Sequence, residues 1–163
     1  MKVIFLDIDG VLNCSKTPNP RKLPYVVDKK LLANLHRLIR KTDAKVVLSS
    51  TWRVDPVGIF AAKHRGIPFI DVCPDFPQSP RWKEIKRWLS AHPHVERFAV
   101  IDDQDDGLDG LPLFQPSAAT GLTMHMVRGV SCYLNGKTDE DMRLNIVKRI
   151  GQNIHSMFER DKS

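Results

Sequence analysis

Two aspartates two residues apart, Asp7 and Asp9, sit within FLDIDGVLN at 5–13, and Gly10 directly after them lets the chain turn sharply. Side chains alternate along an extended strand, so both carboxylates are expected to project to the same side. Carboxylates this close repel each other unless a cation lies between them or one keeps a proton. The pair therefore predicts a hard metal or acid-base chemistry. A solvated Asp-Gly turn is the competing explanation for a D-x-D-G taken alone. A second acidic pair, Asp102 and Asp103, follows another apolar run in FAVIDDQDD at 98–106. Asp105, Asp106 and Asp109 are read differently, because Gly107 and Gly110 mark a solvated acidic loop outside the site.

The elements that must position these groups alternate along the chain. KVIFLDI at 2–8 is a buried strand. Asp28 can cap a helix whose Leu31, Leu32, Leu35, Leu38 and Ile39 share one face, and KVVLSS at 45–50 is a second strand. VGIFAAKHR reads as a helix closed by Gly66, and IPFIDV at 67–72 as a third strand. RWKEIKRWL at 81–89 places Trp82, Ile85, Trp88 and Leu89 on one side of a helix, FAVI at 98–101 is a fourth strand, and a short fifth falls near 111–114. Thr138 with Asp141 resembles a capping box, opening a last helix with Ile146, Val147, Ile150, Ile154 and Met157 at helical spacing. Repeated strand-helix units predict a three-layer α/β/α, Rossmann-like domain with a central parallel sheet. In such sheets ligands bind beyond the carboxyl ends of the strands, where Asp7, Asp9, Asp102 and Asp103 all fall.

FLDIDGVLN resembles the first motif of the haloacid dehalogenase superfamily, D-x-D-G-[TV]-L. That resemblance makes Asp7 the attacking nucleophile and Asp9 the general acid and base. It also implies a Ser or Thr closing a hydrophobic strand, supplied by Ser49 in VVLSSTWR with Ser50 beside it. A basic residue near a helix start is supplied by Arg81 or Lys83, and an acidic pair by Asp102 and Asp103. With TGLT at 120–123, the set more narrowly resembles the capless domains of nucleic-acid repair proteins, including the phosphatase half of polynucleotide kinases. The resemblance implies a phosphomonoesterase working through an aspartyl-phosphate. A phosphate ester repels an anionic nucleophile, so Mg²⁺ and positive donors are needed to lower that repulsion. Asp7, the backbone carbonyl of Asp9, and Asp102 or Asp103 are the expected oxygen ligands. Ser49 would hydrogen-bond a phosphoryl oxygen, with Ser50 beside it, and Arg53 would grip phosphate. Trp52, beside Arg53, is a candidate to contact a base.

At 163 residues the chain is expected to form one domain, 1–163. Hydrophobic residues make up 42% and charged residues 27%, the balance of a globular protein and not of a disordered or fibrous one. Cys14, Cys73 and Cys132 lack any Cys-x-x-Cys spacing, so reduced structural thiols are expected; with no apolar run of membrane-spanning length and no leader pattern, so is a cytoplasmic location. Lys and Arg total 25 against 19 Asp and Glu, a formal +6 that favours phosphorylated or polyanionic partners, although basic residues at helical spacing also describe a solvated face. The segments 13–27 and 73–80, where related domains carry a lid, are too short to fold as one. An open site together with the basic charge favours a nucleic-acid terminus or a nucleotide, with Lys16, Arg21 and Lys22 on the rim as the place for backbone contacts. A phosphatase for a small metabolite or protein, and a binding module without turnover, are the alternatives.

Overall fold

The structure is a computed structural model that describes residues 1–108 and 110–137. Five parallel strands form one sheet: β1 (Lys2–Leu6), β2 (Lys45–Leu48), β3 (Phe69–Val72), β4 (Arg97–Ile101) and β5 (Leu113–Phe114), in the order β3-β2-β1-β4-β5. Helices α1 (Lys29–Thr42), α2 (Pro56–His64), α3 (Arg81–Ala91) and α4 (Met124–Leu134) cover the sheet. The chain adds β2 and β3 on one side of β1 and then crosses to add β4 on the other. The direction of winding thus reverses at β1, and a crevice opens at its carboxyl end.

Parallel strands buried on both faces need apolar side chains in both directions, and β1 supplies them. Ile4 and Leu6 pack with Leu35 and Leu38 of α1 and Val127 and Val130 of α4, whereas Val3 and Phe5 pack with Ile85 and Trp88 of α3. The three-layer α/β/α arrangement expected from the alternation is therefore present. Asp28 caps α1, its carboxylate accepting from the amides of Lys30 and Leu31, and Arg40 and Lys41 close the same helix, where its dipole favours cations.

Two differences from the sequence reading matter. β1 ends at Leu6, two residues early. Asp7 still donates its amide to the Ile101 carbonyl at 2.9 Å, but the Ile8 carbonyl then accepts from Val11, Leu12 and Asn13, which curls the chain away from the strand. Helix α4 is absent from the sequence reading. Its sequence, MHMVRGVSCYL, contains Gly129, β-branched Val127 and Val130, and a single cation, so no helical charge pattern advertises it. It forms because TGLT anchors it: Leu122 is fully buried, its amide donates to the Val11 carbonyl, its own carbonyl accepts from Asn34, and Thr123 caps the helix. The anticipated helix beginning at Thr138 lies outside the described residues.

Residues 13–27 and 73–80 contain turns and irregular backbone without a helix or strand, so neither forms a lid domain over the crevice. Among the described residues no helix is long and apolar enough to cross a membrane.

Candidate active site

The carboxyl ends of β1, β2 and β4 deliver Asp7, Ser49 and Asp102 to one point beside the amino end of α3. Asp7 is 5% exposed and Asp102 1%. Arg81, the first residue of α3, donates from Nη1 to Asp7 Oδ1 at 3.2 Å and to Asp102 Oδ2. Lys83, two residues on, is exposed, with its ammonium over the Trp82 ring and in no ion pair among the described residues. Of the two expected cations, Arg81 is the one brought to the carboxylates.

Carboxylate oxygens of Asp7, Asp102 and Asp103 all lie within 4.8 Å of one another. One guanidinium cannot balance three carboxylates. Burial, reinforced by Asp102, pushes Asp7 up from 3.8 to about 7 against the opposing pull of Arg81. Burial and Asp102 also raise Asp103. Arg81 is held charged: burial disfavours its cation, but Asp102 and Asp7 raise its pKa above the ordinary value. Excess negative charge on oxygen donors suits a hard divalent cation, so the residues present fit Mg²⁺, with Asp7, Asp102 and Asp103 available as ligands. Gly10 allows this crowding. Its φ of +74° favours glycine, and a Cβ there would collide with the Asp103 carboxylate.

The Asp9 carboxylate is not part of that trio. It is exposed and turned aside, with Oδ1 accepting from Asn13 Nδ2 and Oδ2 from Trp52 Nε1, both at 2.8 Å. Asn13 Oδ1 in turn accepts the Gly10 amide at 2.9 Å, tying the loop to itself. Tyr25 packs edge-on against Trp52 and donates to Asp55. Trp52 is 4% exposed, so its indole orients Asp9 and offers no face to a base. Sequence reasoning missed the roles of Asn13 and Trp52. The four-residue spacing from Asp9 to Asn13 was a usable signal, whereas the 43-residue separation from Trp52 was not.

Ser49 is fully buried, and its Oγ has no hydrogen-bond partner among the described residues. A buried hydroxyl left unpaired costs roughly 1–3 kcal/mol, so this one has a donor free for a further oxygen. Ser50 accepts from the Trp52 amide and caps a short 3-10 turn, Thr51–Val54.

Arg53, expected to grip phosphate, is placed otherwise. Its Nε donates to the Cys73 carbonyl at 3.1 Å, Nη1 to the Ser49 and Ser50 carbonyls, and Nη2 to Glu84 at 2.5 Å and Asp75 at 3.5 Å. These hydrogen bonds commit every donor direction of the guanidinium and strap the β2 loop to α3.

The cluster lines an open cleft of about 490 Å³ shared by Asp7, Asp9, Asn13, Thr51, Arg81 and Asp103. Cys14 reaches its edge, Cys73 is buried with its thiol pushed up to about 12, and all three cysteines are free. The cleft thus presents the paired Asp7 carboxylate and Arg81 guanidinium, with the Asp9 carboxylate at its mouth.

No curated protein matches the chain. A family model described as the HAD domain in Swiss Army Knife RNA repair proteins matches residues 3–127, from β1 into α4 and including every residue of the cluster, and the chain therefore belongs to this family of haloacid dehalogenase-type domains.

Proposed function

We propose that the chain is a Mg²⁺-dependent phosphomonoesterase that acts through an aspartyl-phosphate on terminal phosphates of nucleic acid. The observation carrying this reading is the convergence of buried Asp7, Arg81 and the unpartnered Ser49 hydroxyl, with Asp9 oriented beside them. When bound by Asp7, Asp102 and Asp103, Mg²⁺ supplies the positive charge that keeps Asp7 ionised and draws the phosphate to it.

An Asp7 carboxylate oxygen attacks phosphorus as the ester oxygen departs, and Asp9 gives that oxygen its proton. Arg81 neutralises charge on the transferring group, and Ser49 Oγ donates to one of its oxygens, satisfying the hydroxyl. Asp9, now a carboxylate, takes a proton from water as the water attacks phosphorus. The bond from phosphorus to Asp7 breaks, and inorganic phosphate leaves. Nucleic-acid ends are favoured by the open cleft, the formal +6 charge and membership of a family named for RNA repair proteins.

The test is phosphate release from p-nitrophenyl phosphate, nucleoside monophosphates and 3′- and 5′-phosphorylated oligonucleotides, each with Mg²⁺ or EDTA. Mg²⁺-dependent release with preference for an oligonucleotide end supports the reading. Preference for the small esters moves the function to metabolites, and no release from any substrate leaves a binding module.

A further inference from the structure

Helix α3 contributes Arg81 to the site, and the face it turns to solvent carries three more cations, Lys83, Lys86 and Arg87, all exposed. None of the three makes an ion pair among the described residues; the helix's own acid, Glu84, is buried against Arg53. The three are nonetheless held in place. The ammonium groups of Lys83 and Lys86 lie 5.4 and 4.9 Å from the centre of the Trp82 ring, and the Arg87 guanidinium lies 4.6 Å from that of half-exposed Phe76. Long cations normally lose side-chain entropy when they grip a ligand. Resting on aromatic rings, these have already lost part of it, which favours binding.

We infer that this face of α3 is the docking surface for the phosphodiester chain of single-stranded nucleic acid whose terminal phosphate occupies the cleft at Arg81. The inference rests on the reading of the site given above and adds the surface that recognises the rest of the substrate. Continuity argues for it: Lys83 follows Arg81 by two residues, and Lys86 and Arg87 stand about one turn beyond Lys83, roughly 5 to 6 Å along the axis. Charge complementarity argues for a polyanion, and the surroundings set its direction. Gly107 abuts the Trp82 ring, and exposed Asp105 and Asp106 precede it, Asp106 at the edge of the cleft; both repel phosphate, so the strand leaves the cleft over Lys86, Arg87 and Phe76. The loop cations Lys16, Arg21 and Lys22 are exposed too, but among the described residues no ring lies under their charged groups.

Two full-length variants separate the surfaces: Lys86→Gln with Arg87→Gln, and Lys16→Gln with Arg21→Gln and Lys22→Gln. Binding of a phosphorylated single-stranded RNA 10-mer is followed by fluorescence anisotropy across a salt series, in an Asp7→Asn background so that catalysis plays no part. The α3 variant is expected to bind roughly tenfold more weakly at low salt, and its plot of log K against log salt to flatten by about 1.4, at about 0.7 for each phosphate that the protein no longer neutralises. Hydrolysis of p-nitrophenyl phosphate, measured with Asp7 intact, should be unchanged by the same two substitutions. An unchanged salt slope, a slope that falls in the loop variant instead, or an equal fall in p-nitrophenyl phosphate turnover would each overturn the inference. Failure of the wild type to hydrolyse any ester would sink the phosphatase reading while leaving the binding result to judge the surface.

Discussion

Two arginines sit a few residues from the carboxyl end of the sheet, each against carboxylates, and their surroundings differ in one respect. Arg53 pairs with buried Glu84, reaches the exposed Asp75 at the edge and spends its remaining donors on three backbone carbonyls, so the buried charge is matched and the hydrogen bonding closes on itself. Arg81 faces Asp7 and Asp102 with Asp103 beside them, an acid excess, and Ser49 nearby has a hydroxyl with no partner among the described residues. A balanced buried network is complete as it stands, and its role is to hold elements together. An unbalanced one costs stability and persists where a ligand completes it. The same side chain is a strut in one place and, in the proposed function, a phosphate receptor in the other.

The contrast breaks most visibly if the strut is cut. Arg53→Met leaves Glu84 buried and unpaired, and urea unfolding should show a loss of about 3–5 kcal/mol. Replacing Glu84 by Leu in the same chain should recover much of it. Arg81→Ala should do the reverse: in Mg²⁺ the protein unfolds near the wild-type midpoint, while kcat falls about 10²- to 10³-fold. If Arg53→Met kept its stability and lost activity instead, the assignment of the two arginines would have to be exchanged.

The charge excess can be probed by pH. Asp7 is raised to about 7, above its ordinary carboxylate range, so its neutral form favours the folded state. That contribution is complete below about pH 4 and is lost as pH rises through 7. Without metal, the melting temperature should therefore fall between pH 5 and 8, and Mg²⁺ should restore about 5 °C or more at the upper end but little at the lower. Asp7→Asn should flatten the metal-free curve. An Mg²⁺ stabilisation independent of pH would argue against Asp7 as a ligand.

The smallest expected effect concerns orientation. Trp52→Phe keeps a ring against Tyr25 and removes only the donor to Asp9, so kcat should drop roughly tenfold, about one hydrogen bond to a charged group, with KM unchanged. A matched fall in both stability and activity would instead assign Trp52 to packing.

Much of this site was legible because buried parallel strands are short apolar runs, and a carboxylate at the end of one is conspicuous. Asp7, Asp102 and the alternation around them follow from that pattern. What decides between Arg53 and Arg81 is not local: Arg53 meets Glu84 across 31 positions, and Arg81 meets Asp7 across 74. Within RWKEIKRWL, Arg81 and Lys83 look alike until α3 is laid against the sheet and its first residue proves to overhang the strand ends. Helix α4 is illegible in the sequence because its stability comes from packing on α1 and from its anchored entry at Leu122, not from its own composition.

The most direct test compares wild type with Asp7→Asn for phosphate release from p-nitrophenyl phosphate, with Mg²⁺ and with EDTA. A covalent mechanism at Asp7 requires that release depend on Mg²⁺ and fall on the order of 10³-fold or more in Asp7→Asn. Release that survives in Asp7→Asn, or that EDTA leaves untouched, would contradict it.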